Sequence, residues 1–273
     1  MRICLSSRSM LKDFTCLAIA GVTCLSAADN LPRVDLHAHI DGERPEDNRI
    51  EPAAAVALSR KLGVRLGILG EGGCAGEIHD DPTLAAFLDA LACQPVWRGL
   101  QVYGFEWQRC LSKANRDKLD YVGADALIFP GADGRGIWLW LPGVEFPDEQ
   151  DFMNRYVEHN VRVIAQPIQV WANPTYLPAS LQPRYDALWT EARMDRVIRA
   201  AVKNGVAIEI NAHFQIPSAR FIKRAKAAGA RFSFGSNRHV EGIGEIDYCL
   251  RTARECGLTS KDIYVPARTL KAQ

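Results

Sequence analysis

Val34-Asp35-Leu36-His37-Ala38-His39 is a short apolar run that ends in two histidines one residue apart. Alternate side chains of a β-strand point to the same side, so we expect His37 and His39 to face one point in space. Neutral imidazole is the commonest metal ligand among side chains. A His-x-His pair also arises by chance, so the rest of the chain must show whether this one marks a metal site.

Strand-like apolar runs alternate with helix-like segments along the rest of the chain. Signals such as Asp81-Pro82 and Gly229 mark where helices begin and end. We predict strands at residues 33–39, 64–69, 100–106, 121–129, 161–165, 206–211 and 230–234. Seven such units indicate a parallel sheet covered by helices, as either a barrel or a doubly wound sheet.

Polar residues near the ends of these strands favour the barrel, since barrel enzymes place their chemistry at the C-terminal rim. Glu71 and His239 follow the second and seventh runs, and Glu106 ends the third. A carboxylate at a barrel mouth needs a partner, and a metal ion is one candidate. A salt bridge to an arginine is the alternative for both glutamates.

Four motifs follow one another along the chain: Asp35-Leu36-His37-Ala38-His39, Gly104-Phe105-Glu106, Glu209-Ile210-Asn211 and Phe234-Gly235-Ser236-Asn237-Arg238-His239. In this order they resemble the motifs of the PHP (polymerase and histidinol phosphatase) superfamily, over roughly residues 33–266. The resemblance implies an α/β fold, a distorted (βα)7 TIM-like barrel of PHP type. It also implies a cluster of up to three divalent metals at the C-terminal rim, and a hydrolase, most often a phosphoesterase.

The same resemblance suggests a set of metal ligands. His37 and His39 match the first motif, Glu106 matches the carboxylate that bridges metals, and His239 matches the terminal histidine. Glu71 stands where the family has Asp-His and is a replacement ligand. We therefore expect one or two divalent ions, of zinc, manganese or iron, at the set His37, His39, Glu71, Glu106 and His239.

Two departures from the family pattern weaken the expected cluster. Gln166 stands in place of the histidine of a His-Pro motif, and Asn237 stands in place of an aspartate. An amide binds metal only through a neutral oxygen, so both are weaker ligands. A non-catalytic PHP-like binding protein that has lost part or all of its metals is therefore the alternative to the metal-dependent hydrolase. A metal-free barrel enzyme such as an isomerase is a third option.

The substrate is expected to be a small molecule, and Arg238 is the candidate to bind it. A guanidinium between the last ligands is suited to clamp a phosphate or carboxylate group, which allows an anionic substrate. An outward-facing salt bridge is the alternative for Arg238. The net charge of the 273-residue chain is +1, which gives no electrostatic case for a nucleic-acid partner.

Residues 1–28 have the layout of a secretory signal peptide. Arg2, Arg8 and Lys12 precede an apolar run over residues 14–25, and small residues follow. The run is too short to span a membrane comfortably, and no other stretch approaches that length. We therefore expect an exported protein, periplasmic or secreted, with one barrel domain over residues 29–273 and no membrane span. Of its five cysteines we expect most to be buried free thiols.

Overall fold

A computed structural model describes residues 30–41 and 49–270, so the predicted signal peptide lies outside the described residues. Seven parallel strands form one sheet in the order β1-β2-β3-β4-β7-β8-β9, and β5 and β6 form a separate antiparallel hairpin. The strands are β1 (Val34–Ala38), β2 (Arg65–Gly72), β3 (Trp97–Val102), β4 (Tyr121–Ala124), β5 (Ile128–Pro130), β6 (Gly136–Trp138), β7 (Val170–Trp171), β8 (Ala207–Asn211) and β9 (Phe232–Gly235).

The sheet curls until its first and last strands meet. The backbone N–H of Asn237 donates to the carbonyl of His37 at 2.6 Å, and that of His39 donates to the carbonyl of Arg238 at 2.8 Å. The buried carboxylate of Asp35 accepts hydrogen bonds from the backbone and hydroxyl of Ser236, at 2.9 and 2.6 Å. These bonds nearly close the sheet into a seven-stranded TIM-like barrel, which confirms the predicted barrel architecture.

Helices connect successive strands and pack against the sheet. Several begin at a side chain that caps the free N–H groups of the first turn, as Asp80 does for Thr83 and Ser218 for Phe221. They are α1 (Pro52–Lys61), α2 (Asp81–Ala90), α3 (Trp107–Cys110), α4 (Lys113–Arg116), α5 (Glu149–Ile164), α6 (Tyr185–Leu188), α7 (Glu191–Asn204), α8 (Ala219–Ala227) and α9 (Asp247–Glu255). In the described part of the chain, none is long and apolar enough to cross a membrane.

The predicted fifth strand is wrong, because residues 161–165 continue helix α5 instead of forming a strand. The buried residues Tyr156, Asn160, Val163 and Ile164 recur at helical spacing, so this apolar run completes the inner face of the helix. The barrel strand is the two-residue β7, which comes after Pro167. The indole of Trp171 in β7 donates to Asn160 Oδ1 at 3.0 Å and ties the short strand to α5.

The cysteines differ from expectation as well. Cys74 and Cys110 form a disulfide across a Cα–Cα distance of 5.5 Å, and Cys93 is an exposed free thiol. Only Cys249 and Cys256 are buried free thiols, so the expectation for most of the five is wrong. The two bridged residues follow β2 and β3, which are neighbours in the sheet, and the barrel therefore brings them together.

Candidate functional site at the C-terminal mouth of the barrel

Each of the seven barrel strands carries a polar side chain at or just beyond its C-terminal end. Parallel pairing sets these ends level, as in the register of Glu71 with Gln101. The C-terminal rim is where TIM-like barrels hold their active sites. The residues are His37 in β1 and His39 after it, Glu71 in β2, Gln101 and Tyr103 at β3, Asp125 after β4, Asn173 after β7, Glu209 and Asn211 in β8, and Asn237 and His239 after β9.

His37 and Glu209 form a buried pair below the mouth. His37 Nδ1 lies 2.7 Å from Glu209 Oε1, and both side chains are at most 2% exposed. Burial alone lowers the pKa of His37, but the carboxylate of Glu209, together with those of Asp125 and Asp35, outweighs burial and the net shift is upward. The other ring nitrogen, Nε2, is buried without a hydrogen-bond partner. Buried polar atoms are rarely left unpaired, so this nitrogen marks a place where a ligand is expected.

A glycine makes room for this pair. A Cβ atom on Gly235 of β9 would lie 2.6 Å from the Cβ of His37, and closer still to Glu209 Oε1. Real Cβ atoms do not approach other atoms so closely, which explains why glycine occupies this position. The carboxylate of Glu209 can therefore rest against the backbone of the neighbouring strand.

Three histidines are grouped at the junction of β1 and β9. The rings of His37 and His39 meet edge to face with centroids 5.2 Å apart, and His39 stacks on His239 at 4.5 Å. Nδ1 of His239 lies 2.8 Å from the backbone carbonyl of Asp41. Burial, followed by the proximity of His37 and His239, holds the pKa of His39 well below its ordinary value. His39 is therefore neutral near pH 7, the state in which imidazole binds metal.

Asn173 is the centre of an amide and carboxylate network beside the histidines. Its backbone N–H donates to Glu209 Oε2 at 2.6 Å, and its Nδ2 donates to Asp125 Oδ2 at 3.0 Å. Its Oδ1 accepts from Nδ2 of Asn211 at 2.9 Å and of Asn237 at 3.2 Å. Its φ of +46° is left-handed, a conformation that asparagine tolerates better than most residues.

A cavity of about 630 Å³ opens above this network. Glu71 and Tyr103 line it together with Asp125, and burial raises the pKa of each of these three groups. For Glu71, the neighbouring carboxylate of Glu77 adds to the effect. None of the described residues that line the cavity is a lysine or an arginine. Among the described residues, the carboxyl groups of the cavity are therefore not balanced by a lysine or an arginine.

No family model and no curated protein matches this chain. Among solved structures, it is similar to one described as the crystal structure of citrate synthase SbnG. The sequence identity is 12% and the TM-score 0.37, over 82% of this chain and 95% of that one. A similarity at this level carries no argument about activity.

The structure brings together only part of the predicted ligand set. His37, His39 and His239 are neighbours, and Glu71 lines the cavity with His39 and His239. Glu106 lies apart from this group: its side chain is 59% exposed and pairs with Arg109 at 2.6 Å. Within residues 30–41 and 49–270, no three His, Cys, Asp or Glu side chains are arranged as a ready metal site.

Arg238, the predicted substrate clamp, is not among the cavity-lining residues. If Gly242 carried a Cβ atom, that atom would lie 3.2 Å from Nε of Arg238. The carboxylate of Glu245 lies beside the same position. The guanidinium therefore lies beside the turn that follows β9.

Some residues of the site were not singled out as ligands from the sequence. Glu209 is the clearest, since it alternates with Ile208 and Ile210 on a fully buried strand. A carboxylate on the inner side of a buried strand needs a partner, and that signal was present. The roles of Gln101 and Asn173 depend on contacts between distant strands, which the sequence does not reveal.

Proposed function

We propose that the mouth of the barrel is the active site of a metal-dependent hydrolase. One observation carries the proposal: His37 is fixed at Nδ1 by a buried carboxylate, and its Nε2 is buried without a partner. A carboxylate that orients a histidine in this way is the usual outer partner of a histidine bound to metal. The donor chemistry of His37 therefore fits a divalent ion.

The residues suited to hold such an ion are His37 and neutral His39, with His239 as the third imidazole. When bound, a divalent cation supplies Lewis acidity and activates water for attack near neutral pH. Glu209 holds the ring of His37 in one orientation. Glu71, whose pKa is raised by burial, is the cavity carboxyl best suited to hold or release a proton during hydrolysis.

The motif resemblance to the PHP superfamily makes phosphoesters the first class of bond to assay. The described residues that line the cavity include no lysine or arginine, so neutralisation of a phosphate charge there falls to the ion. We expect one or two divalent ions at this site, of zinc, manganese or iron.

The second candidate function is a binding protein without catalysis. Four amide side chains occupy the mouth and hydrogen-bond to carboxylates or to one another, where a metal cluster would need charged ligands. The absence of a ready three-ligand group in the described residues favours this candidate too. The amides belong to Gln101, Asn173, Asn211 and Asn237.

Metal content and turnover test the proposal together. Elemental analysis of protein purified without chelator is expected to find zinc, manganese or iron near one equivalent. Turnover of phosphomonoesters or phosphodiesters is expected to stop with chelator and return with metal. The double variant His37→Ala, His39→Ala removes both, whereas His79→Ala, an exposed loop histidine, changes neither. Protein that takes up none of the three metals and cleaves no phosphoester would overturn the hydrolase and leave the binding protein as the stronger candidate.

We further propose that the protein is exported, and the Cys74–Cys110 disulfide supports this. Disulfides persist in oxidising compartments and are rare in the reducing cytosol. Expression with the intact leader tests the point. Protein recovered outside the cytosol is expected to begin at residue 28 or 29, and recovery only of uncleaved cytosolic chain would count against export.

A further inference from the structure

Two exposed tryptophans stand at the rim of the cavity. Trp138 is 49% exposed and Trp140 41%, and their rings stack with centroids 5.5 Å apart. With Leu141, 44% exposed, they make up three of the five large exposed apolar side chains in the described residues. All three line the cavity. We refer to Trp138, Trp140 and Leu141 as the aromatic shelf.

The local backbone explains why the shelf faces outward. Trp138 ends β6, which pairs with β5. Leu139 is fully buried, and its N–H donates to the carbonyl of Leu127 at 2.9 Å. The backbone turns directly after β6, where the N–H of Leu141 donates to the carbonyl of Trp138 at 3.1 Å. Leu139 anchors this turn in the core, and Trp138 and Trp140 on either side of it remain exposed. A stacked, exposed aromatic pair at a cavity rim is costly in water and indicates a binding surface.

The cavity wall beyond the shelf is polar, and in the part of the chain that the structure describes it includes no lysine or arginine side chain. Amide groups of Gln101, Asn173 and Asn237 line it, together with the carboxyl groups of Glu71 and Asp125. Oε1 of Gln101 is buried without a hydrogen-bond donor, and the residue as a whole is only 4% exposed. Such a wall offers hydrogen bonds to hydroxyl groups and repels anions.

We propose that the cavity binds a neutral, polyhydroxylated ring, a saccharide unit, with its C–H face on the aromatic shelf and its hydroxyls on the amide and carboxyl wall. Binding of the saccharide does not require the proposed hydrolase activity. Only the position of the cleaved bond rests on that proposed function. The negative face of an aromatic ring attracts the weakly positive C–H groups of a sugar. Hydroxyl groups both donate and accept hydrogen bonds, so they suit the amide and carboxyl atoms of the wall that the internal network does not already pair.

Other ligand chemistries fit less well. A ligand recognised through its phosphate would meet Glu71 and Asp125 with no lysine or arginine beside them. A wholly apolar ring would cover the shelf but leave Gln101 Oε1 without a hydrogen-bond donor, which is costly. Only an amphipathic ring satisfies both surfaces.

Tryptophan fluorescence isolates the shelf, because the other four tryptophans are at most 2% exposed: Trp97, Trp107, Trp171 and Trp189. Acrylamide quenching of the purified protein therefore reports on Trp138 and Trp140. The first probes are neutral trisaccharides of gluco, galacto, manno and xylo configuration. Glucose is then compared with glucose 6-phosphate to test for a preference for phosphate. Benzyl alcohol, measured by calorimetry, tests for a preference for an apolar ring. All are measured in chelator, so that binding is independent of metal and turnover.

At least one neutral trisaccharide is expected to protect the fluorescence from acrylamide. Trp138→Ala and Trp140→Ala are each expected to weaken its binding, measured by calorimetry, by about tenfold. Leu62→Ala, an exposed apolar residue at the end of α1, is the matched control and leaves binding unchanged. Circular dichroism of each variant confirms that it is folded.

The proposal is overturned if no neutral saccharide binds, if glucose 6-phosphate or benzyl alcohol binds more tightly than glucose, or if the tryptophan variants bind as the parent does. Saccharide binding in chelator by a protein that takes up no metal would leave this proposal standing and remove the hydrolase. Metal-dependent turnover without saccharide binding would leave the hydrolase standing and overturn the saccharide proposal.

Discussion

The Nδ1 atom of His37 and the Oε1 atom of Glu209 lie 2.7 Å apart in a nearly water-free position. The second carboxylate oxygen accepts from the backbone N–H of Asn173 at 2.6 Å and from Asn211 Nδ2 at 3.2 Å. The two carboxylate oxygens of Glu209 thus accept hydrogen bonds from three donors. This one side chain fixes both the ring of His37 and the backbone after β7.

Glu209→Gln is expected to weaken metal affinity by about 10–100-fold, the usual cost of losing the outer partner of a metal-bound histidine. The amide has a single acceptor oxygen, and its NH2 group must face one of the three donors. The free energy of unfolding is expected to fall by about 1–3 kcal/mol, because a buried donor loses its partner. Competition with a chromogenic chelator and urea unfolding measure the two effects.

Glu106→Gln is the matched control for this variant. It makes the same chemical change at a side chain that is 59% exposed and pairs only with its helix neighbour Arg109. Metal affinity and stability are expected to stay at parent values. Equal losses in the two variants would show that the orientation of His37 by Glu209 does not determine metal affinity.

Gly235→Ala is expected to destabilise the protein by about 1–3 kcal/mol, as other additions to a packed interior do. The new methyl group would lie 2.6 Å from the Cβ of His37 and would displace the carboxylate of Glu209. Gly123→Ala on β4 is the control, since its nearest contacts would be 3.8 and 3.9 Å. Thermal unfolding of both variants measures the difference, and equal melting temperatures would contradict the close approach.

The barrel and part of its site could be predicted from local patterns. His37, His39 and His239 lie at strand ends, and parallel strands bring their ends to one rim, so their meeting follows from the topology. Glu106 had the same local appearance, but β3 ends at Val102 and Glu106 is the N-cap residue that precedes the short helix α3. A shift of a few residues at a strand end thus removed a predicted ligand from the group.

Other features depend on contacts that no local pattern shows. The run at residues 161–165 is rich in β-branched residues, yet its buried members Val163 and Ile164 lie on the inner face of α5, where tertiary packing outweighs strand preference. Asn173 joins Asp125, Glu209 and Asn237 from three other strands only once the barrel has closed. The pairing of Cys74 with Cys110 likewise depends on the neighbouring positions of β2 and β3.

Replacing Cys74 and Cys110 together by serine is expected to lower the free energy of unfolding by about 2–4 kcal/mol, from the loop entropy that the bridge removes. The bridge closes a loop with a sequence separation of 36 residues. A reducing agent is expected to lower the melting temperature of the parent and leave the double variant unchanged. Cys93→Ser, at an exposed free thiol, is the control. A parent protein insensitive to reductant would contradict a stabilising bridge.

His159 is expected to make stability fall in mild acid. It is 8% exposed, its Nδ1 has no partner, and its ring packs against Phe105 and Phe129. Burial is the main cause that lowers the pKa of His159 from 6.5 to about 4. A backbone hydrogen bond opposes this shift, and the positive charge of Arg162 adds to it. The fold thus favours neutral imidazole, whereas the unfolded chain binds a proton below its ordinary pKa. The stability that neutral His159 contributes is therefore fully present above the pKa of the unfolded chain, and it is lost as the pH falls towards the pKa in the folded protein.

Between about pH 7 and about pH 5 this single group is expected to cost about 2 kcal/mol. Urea unfolding of the parent and of His159→Gln at the two pH values measures it, since glutamine does not titrate. The variant should lose about 2 kcal/mol less than the parent over this interval. His79→Gln, at a histidine whose side chain is 52% exposed, should follow the parent. Because every other titrating group is shared, an equal loss in parent and His159→Gln would mean that His159 is protonated as readily in the folded protein as in the unfolded chain.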